Sequence, residues 1–216
     1  MAFILVIGAS RGIGAEVARQ AVAAGHTVRA MSRSGKLPDG VNSDCHGFAG
    51  DARHSDDMRQ ALDGIDIVVQ ALGIPPSIKM VVEPVTLFSE TTKTLISQMQ
   101  VKGLKRLISV TGFGAGDSHD SISLLQRLPF HLVFGKAYND KTIQEKLIIQ
   151  SDLDWLIVRP GVLTNGKKSN HYKVLLEEKD WRNGIIARAD VAAFIVAQFG
   201  NEGLSHQKPV LMRYPL

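Results

Sequence analysis

The stretch AFILVIGASRGIGAEVARQAVAAG, Ala2 to Gly25, reads as a strand, a glycine turn and a helix in immediate succession. Ala2 to Ile7 is a continuous apolar run, the pattern of a short strand buried on both faces. GASRGIG, Gly8 to Gly14, is the turn. Beyond it Val17, Ala18, Ala21 and Val22 recur at helical spacing, and Gly25 closes the pattern as a C-cap does. In an open α/β sheet, ligands sit outside the carboxyl ends of the strands, which is where this turn falls. Gly8 lets the chain turn, Gly12 removes a Cβ from the path of a phosphate, and Gly14 lets the helix pack close to the sheet. Free backbone N–H groups at the helix start, with the dipole behind them, suit an anion. Gly8, Ser10, Arg11, Gly12, Ile13 and Gly14 are therefore the expected cradle of a dinucleotide pyrophosphate rather than a mere bend.

The end of the second strand decides which dinucleotide. HTVRAMSR, from His26, reads as that strand, and SGKLPDG as a loop. A carboxylate there, roughly 20 residues past the turn, would bind the ribose 2′-hydroxyl of NAD. The stretch is instead MSRSGK, Met31 to Lys36, without an acid. Arg33 can make charge-assisted bonds to a 2′-phosphate, and Ser32 can donate to it. Arg11 can reach the same group from the other side. The expected cofactor is NADP(H).

Further along, CHGFAGD is a weak third strand and SDDMRQALDG a helix capped by Ser55. Asp51, with Ala52, follows the third strand, where it either contacts the adenine or serves as a turn or cap residue. IDIVVQALG, Ile65 to Gly73, is a buried strand. Its last residues, Ala71, Leu72 and Gly73, are small or apolar, so a cofactor ribose can lie against them. Residues 75–84 form a proline-rich loop. A helix from about Val85 to Lys102 and a buried strand from Arg106 to Gly112 follow. FGAGDSHDS is a loop. Pro129 breaks the amphipathic stretch 121–135, and a stronger helix covers Asn139 to Gln150. DWLIVRPG, Asp154 to Gly161, is a strand cut off by Pro160. Then YKVLLEE reads as a strand, IARADVAAFIVAQFG as a helix with Asp190 near its N-cap, and PVLMRY as a last strand. Parallel strands need crossover helices. The alternation predicts a single α/β domain over residues 1–216: a doubly wound, Rossmann-like parallel sheet with a small C-terminal lobe on the substrate side.

Bulk properties narrow the classes. The chain's 216 residues suffice for one core but are short for two full domains. The net charge of +4 is scattered without a basic run, which argues against nucleic acid and suits a phosphorylated cofactor. The lone Cys45 excludes an intrachain disulfide and reads as a small buried hydrophobe. The first apolar run lacks the basic start of a signal peptide. No run approaches the ~20 residues of a membrane span. A soluble cytoplasmic protein acting on a small molecule is expected, with no nucleic-acid or membrane partner and its oligomeric state open. The histidines never fall at metal-ligand spacing, so no metal is expected. His119 and His131 fall near the substrate loop. Trp155 and Trp181 read as packing residues, and Arg188 and Asp190 as the start of the last helix.

GASRGIG is similar to the G-x-x-x-G-x-G signature of short-chain dehydrogenases/reductases. YNDKTIQE, Tyr138 to Glu145, followed by SDLDWLIVRPGVLTNG, resembles the atypical branch of NmrA-like and NAD(P)H-binding proteins, which includes flavin and biliverdin reductases of similar size. The resemblance covers nearly the whole chain. It implies that Arg159, Pro160 and Gly161, with Val162, lie at the end of the sixth strand beside the nicotinamide. It also implies a substrate-polarising hydroxyl at Ser109 or Thr111. Strand alternation puts both on one face, with Thr111 nearer the carboxyl end. One departure stands out: the family's Tyr-x-x-x-Lys becomes Tyr138-x-x-Lys141, with Thr142 at the family's lysine position. Lys141 can still share a helix face with Tyr138 and is expected as a ribose contact. Tyr138 either donates a proton or precedes the helix, with Asn139 or Asp140 as cap. Glu145 lies four residues after Lys141, where the two can pair.

Hydride transfer is carried by the nicotinamide, and a flavin or quinone accepts hydride without a finely tuned acid. A simple ketone needs a proton donor at its oxygen. The displaced Tyr–Lys pair therefore points to an NADPH-dependent reductase of small conjugated acceptors (flavin, quinone or a related carbonyl compound), with Tyr138, Lys141, Thr111 and Ser109 as candidate catalytic residues. The alternative is a non-catalytic NADP(H)-sensing regulator of the NmrA-like type, in which the loop from Gly112 to His119 docks a partner.

Overall fold

The computed structural model describes the backbone of residues 1–74, 84–121 and 124–215, and their side chains except those of 119–134 and 215. The proline-rich loop expected at 75–84 thus lies, but for Pro84, outside the described residues, as do the side chains of His119 and His131. The main sheet has eight strands: β1 (Phe3–Ile7), β2 (Thr27–Ser32), β3 (Cys45–Ala49), β4 (Ile67–Gln70), β5 (Arg106–Val110), β6 (Asp154–Pro160), β8 (Lys173–Leu175) and β10 (Val210–Met212). Their order is β3-β2-β1-β4-β5-β6-β10-β8. All neighbours are parallel except β8, which runs antiparallel to β10. A smaller sheet joins β7 (Val162–Thr164), β9 (Gly184–Ala187) and β11 (Tyr214–Pro215) in the order β11-β9-β7.

The period-two alternation of the apolar strands explains why helices cover both faces. Ile4 and Val6 of β1 face a layer containing Val17 and Ala18 of α1 (Gly12–Ala23) and Val191 and Ile195 of α5 (Arg188–Ala197). Leu5 and Ile7 face the opposite layer, with Met58 of α2 (Ser55–Ala61), Leu95 and Met99 of α3 (Leu87–Val101) and Ile148 of α4 (Leu124–Ile149). The chain winds outward from β1 in one direction through β2 and β3, and in the other through β4, β5 and β6. The reversal between β1 and β4 opens a crevice at their carboxyl ends. Cys45 is buried in the first layer and Trp155 in the second, both as packing residues.

Four local expectations are corrected. The break at Pro129 does not occur, because α4 runs unbroken from Leu124 to Ile149. A proline early in a helix forfeits one backbone bond, and the long run after it carries the helix. Tyr138 and Asp140 are consequently mid-helix. Asp140 caps a different helix: its carboxylate accepts from the Phe88 N–H at 2.8 Å and from the Ser89 N–H at the start of α3. Ser55 is not an N-cap either. His54 holds that place without a side-chain bond, and the Ser55 hydroxyl accepts from Gln98 at 2.8 Å. Finally, Ile186 and Ala187 belong to β9, where they pair with β7, and the helix begins only at Arg188.

The crevice depends on glycine. A Cβ on Gly14 would overlap the carbonyl oxygen of Gly8, and one on Gly8 would lie 2.8 Å from the carbonyl oxygen of Ala71. Gly14→Ala forces α1 off the sheet, and overpacking of this kind costs on the order of 2 kcal/mol or more. The expected result is a lower urea midpoint with an unchanged slope. A midpoint equal to that of the parent chain would show that the helix can shift at no cost.

Candidate functional site

At the carboxyl end of β1, Arg11 is extended (φ −161°) and Gly12 is left-handed (φ +63°) as α1 begins. Among the described residues no side chain caps the helix, and its first turn holds no acid. Its leading N–H groups therefore point at the crevice with the positive end of the helix dipole behind them. Ser10 and Arg11 are exposed at its mouth, while Ile13 and Gly14 are buried. The end of β2 lies alongside, because the Gly8 and Ala9 N–H groups both donate to the Met31 carbonyl, at 3.0 and 3.2 Å. Arg33, just beyond, is exposed, and neither it nor Arg11 has an ion-pair partner among the described residues. The Ser32 hydroxyl is buried and has no hydrogen-bond partner among the described residues.

The other side of the crevice is the end of β4. Ala71 and Leu72 are half-buried and Gly73 is exposed. Asp51 proves to be a turn residue. Its carboxylate accepts from the Arg53 backbone and guanidinium, at 3.0 and 2.6 Å, and the Arg53 hydrogen bonds hold it well below the usual carboxylate range. That leaves little of it for an adenine. Ala52 is in the core beside Met58.

The catalytic group expected from the sequence divides. Ser109 is fully buried, donating to Gln70 at 3.2 Å and accepting from Gln144 at 3.0 Å. Thr111 is equally buried, and its hydroxyl donates to Glu145 Oε1 at 2.6 Å. Neither hydroxyl is positioned to polarise a substrate, so the geometry overturns that expectation for both. Side-chain alternation put them on one face correctly, but that face is covered by α4. Glu145 is not principally the partner of Lys141. It is fully buried and takes two bonds from Arg159, Nε to Oε1 at 3.0 Å and Nη2 to Oε2 at 2.5 Å. Arg159 also pairs with Asp117, at 2.5 Å, and stacks over the Trp181 ring. The arginine of the RPG stretch therefore locks β6 to α4, while Pro160, Gly161 and Val162 lie at the carboxyl end of β6 and the start of β7.

Tyr138 and Lys141 sit on the α4 face that looks over the end of β5. The Tyr138 hydroxyl is packed so closely on Gly112 that a Cβ there would lie 2.7 Å from it. Burial pushes the Tyr138 phenol up to about 12. Lys141 Nζ donates to the Thr111 carbonyl and lies 5.0 and 5.5 Å from the centres of the Phe88 and Tyr138 rings. Burial pulls its ammonium down to about 8, against the pull of Glu145. The Tyr-x-x-Lys spacing thus still brings the two side chains together.

A separate cleft, lined by Ile67, Arg106, Asp154, Phe199, Gly200 and Glu202, lies at the amino ends of β4 to β6, away from the glycine turn. Arg106 there is spent on Asp154, at 2.9 Å, and on backbone carbonyls. Among the described residues, no cluster could hold a metal ion and no helix is long and apolar enough to cross a membrane.

The uncapped turn fits a dinucleotide, and comparison with known proteins agrees. Residues 8–202 match the profile described as NAD(P)H-binding. The chain belongs to this NAD(P)H-binding family. Among solved structures it is similar to ChuY, an anaerobillin reductase from Escherichia coli O157:H7, at 25% identity and TM-score 0.80, over 98% of this chain and 97% of that one. ChuY from E. coli CFT073 matches at 25% identity and TM-score 0.78, over 99% and 97%. A wide-type short-chain dehydrogenase/reductase from Veillonella parvula, solved with NADP, shares the fold at TM-score 0.82 and 14% identity, over 98% and 94%.

Lys141 makes stability depend on pH. Its folded pKa lies near 8, below its unfolded value near 10.5, so folding is penalised while the group is charged in both states. The penalty is relieved as pH rises through 8. Above pH 10 the raised phenol of Tyr138 works in the opposite sense. Stability is therefore expected to rise between pH 8 and 10, and Lys141→Met to remove the rise. Parallel profiles for the two proteins, measured by urea unfolding, would refute it.

Proposed function

We propose that the chain is an NADPH-dependent reductase that delivers hydride to a small conjugated acceptor, such as a flavin, a quinone or a related carbonyl compound. The observation that carries this reading is the Tyr138 phenol lying on Gly112 at the carboxyl end of β5, with Lys141 beside it, while Ser109 and Thr111 are spent on internal partners. The bound cofactor would supply the hydride. The chain's own part is to hold the dinucleotide on the α1 cradle and present the Tyr138 hydroxyl near the acceptor. A phenol at about 12 stays protonated at neutral pH and can donate a hydrogen bond. It is far from the operating pH, so it is a poorly matched acid. That suits an acceptor whose own π system stabilises the incoming charge. The similarity to an anaerobillin reductase over 98% of the chain supports the reductase class. The preference for NADPH rests on Arg33, Arg11 and the Ser32 hydroxyl, with no acid at the end of β2.

The test is NADPH oxidation with flavin, quinone and aldehyde acceptors. Turnover is expected with the first two. Tyr138→Phe is expected to lower kcat for them by no more than about tenfold, below the ~100-fold or more of a matched acid. Tight NADPH binding without turnover of any acceptor would discard the enzyme reading in favour of a cofactor-sensing regulator. Arg33→Glu is expected to weaken NADPH binding by at least about tenfold, the value of one charge-assisted hydrogen bond, while leaving NADH nearly unchanged. Equal losses for both would show that Arg33 does not read the 2′-phosphate.

A further inference from the structure

Arg188 opens α5, at the far end of the chain from the glycine turn, yet its guanidinium lies over that turn. A Cβ on Gly12 would meet nothing within 4 Å except Arg188 Nε, at 3.9 Å. The space above the left-handed Gly12 is thus open, with a cation at its edge. Arg188 donates through Nη1 to the neutral Asn165 side chain at 2.7 Å and has no ion pair among the described residues. The acid two residues on does not neutralise it. Asp190 is fully buried and its carboxylate is taken by the Ser169 N–H, the Ser169 hydroxyl and the Asn170 N–H, at 2.6, 2.7 and 2.9 Å. α5 is itself anchored beside α1, since Gln20 donates to the Ala189 carbonyl at 2.9 Å.

We infer that Arg188, held by Asn165, is a pyrophosphate-binding residue that closes the α1 cradle from the side of the small sheet. This rests on the dinucleotide reading of the glycine turn. An arginine carries five donors in a planar fork, and Asn165 occupies Nη1. The remaining donors are matched to phosphate oxygens. A half-buried, unpaired guanidinium beside uncapped helix N–H groups makes the site strongly selective for an anion at that point. Its role differs from that of Arg33: the pyrophosphate is common to NADPH and NADH, so Arg188 contributes affinity for both.

Equilibrium titrations of the parent chain, Arg188→Met and Arg188→Lys with NADPH, NADH and adenosine 2′-monophosphate test this. Met keeps the apolar bulk of the stem, and Lys keeps the charge. Arg188→Met is expected to weaken NADPH and NADH by a similar factor of about 10 to 100, the worth of one or two charge-assisted bonds, with partial recovery in Arg188→Lys. Adenosine 2′-monophosphate, which lacks the pyrophosphate, should bind both proteins alike. NADPH affinity in Arg188→Met within twofold of the parent would overturn the inference while leaving the cofactor reading intact. An equal loss for adenosine 2′-monophosphate would overturn it too, by showing a general collapse of the site. A parent chain that binds no dinucleotide would remove both.

Discussion

Everything at the functional end of the molecule depends on how closely α1 approaches β1. The Gly14 Cα lies against the Gly8 carbonyl, and Gly8 against Ala71, with no room for a methyl group at either glycine. This contact puts the first N–H groups of α1 at the sheet's carboxyl edge, between the ends of β1 and β4. It also leaves them unspent, because no side chain among the described residues caps the helix. A wider approach would set the helix dipole back from the crevice. The placement of these N–H groups is therefore a product of packing, and the helix dipole only adds to it.

A second constraint lies across the crevice. Glu145 and Arg159 are both fully removed from water, and each charge is affordable only because the other is there with good geometry. The pair ties α4 to β6, and Asp117 and Thr111 complete it. Fixing α4 in this way orients the turn that carries Tyr138 and Lys141 toward the end of β5. The hydroxyl that the family resemblance assigned to the substrate, that of Thr111, instead satisfies a buried carboxylate. Tyr138 lies over Gly112 with Lys141 beside its ring, and burial dominates the protonation behaviour of both.

Much of this was legible in the residues themselves. The apolar runs at Phe3–Ile7, Ile67–Gln70, Arg106–Val110 and Asp154–Pro160 announce buried parallel strands, and the glycine turn announces the crevice. Failures cluster where a residue type has two uses. Pro129 looks like a breaker but is carried within a long helix. Asp140 looks like a local cap, yet it caps α3. Glu145 at four residues from Lys141 looks like a helical ion pair, yet it prefers Arg159 on a neighbouring strand. Arg188 read as an ordinary helix-start residue, because nothing near it in sequence shows that Gly12 lies beneath it.

The sequence by itself determined the alternation of strand and helix, the parallel sheet and the place of the glycine turn. These follow from short-range periodicity and from the few positions where only glycine fits. Tertiary structure alone decided which partner each buried charge and hydroxyl takes: Glu145 with Arg159, Thr111 with Glu145, Asp190 with Ser169 and Asn170, and Arg188 over Gly12. The physical reason is that a polar group withdrawn from water must find a partner in space, and the available partners come from strands and helices far apart in the chain.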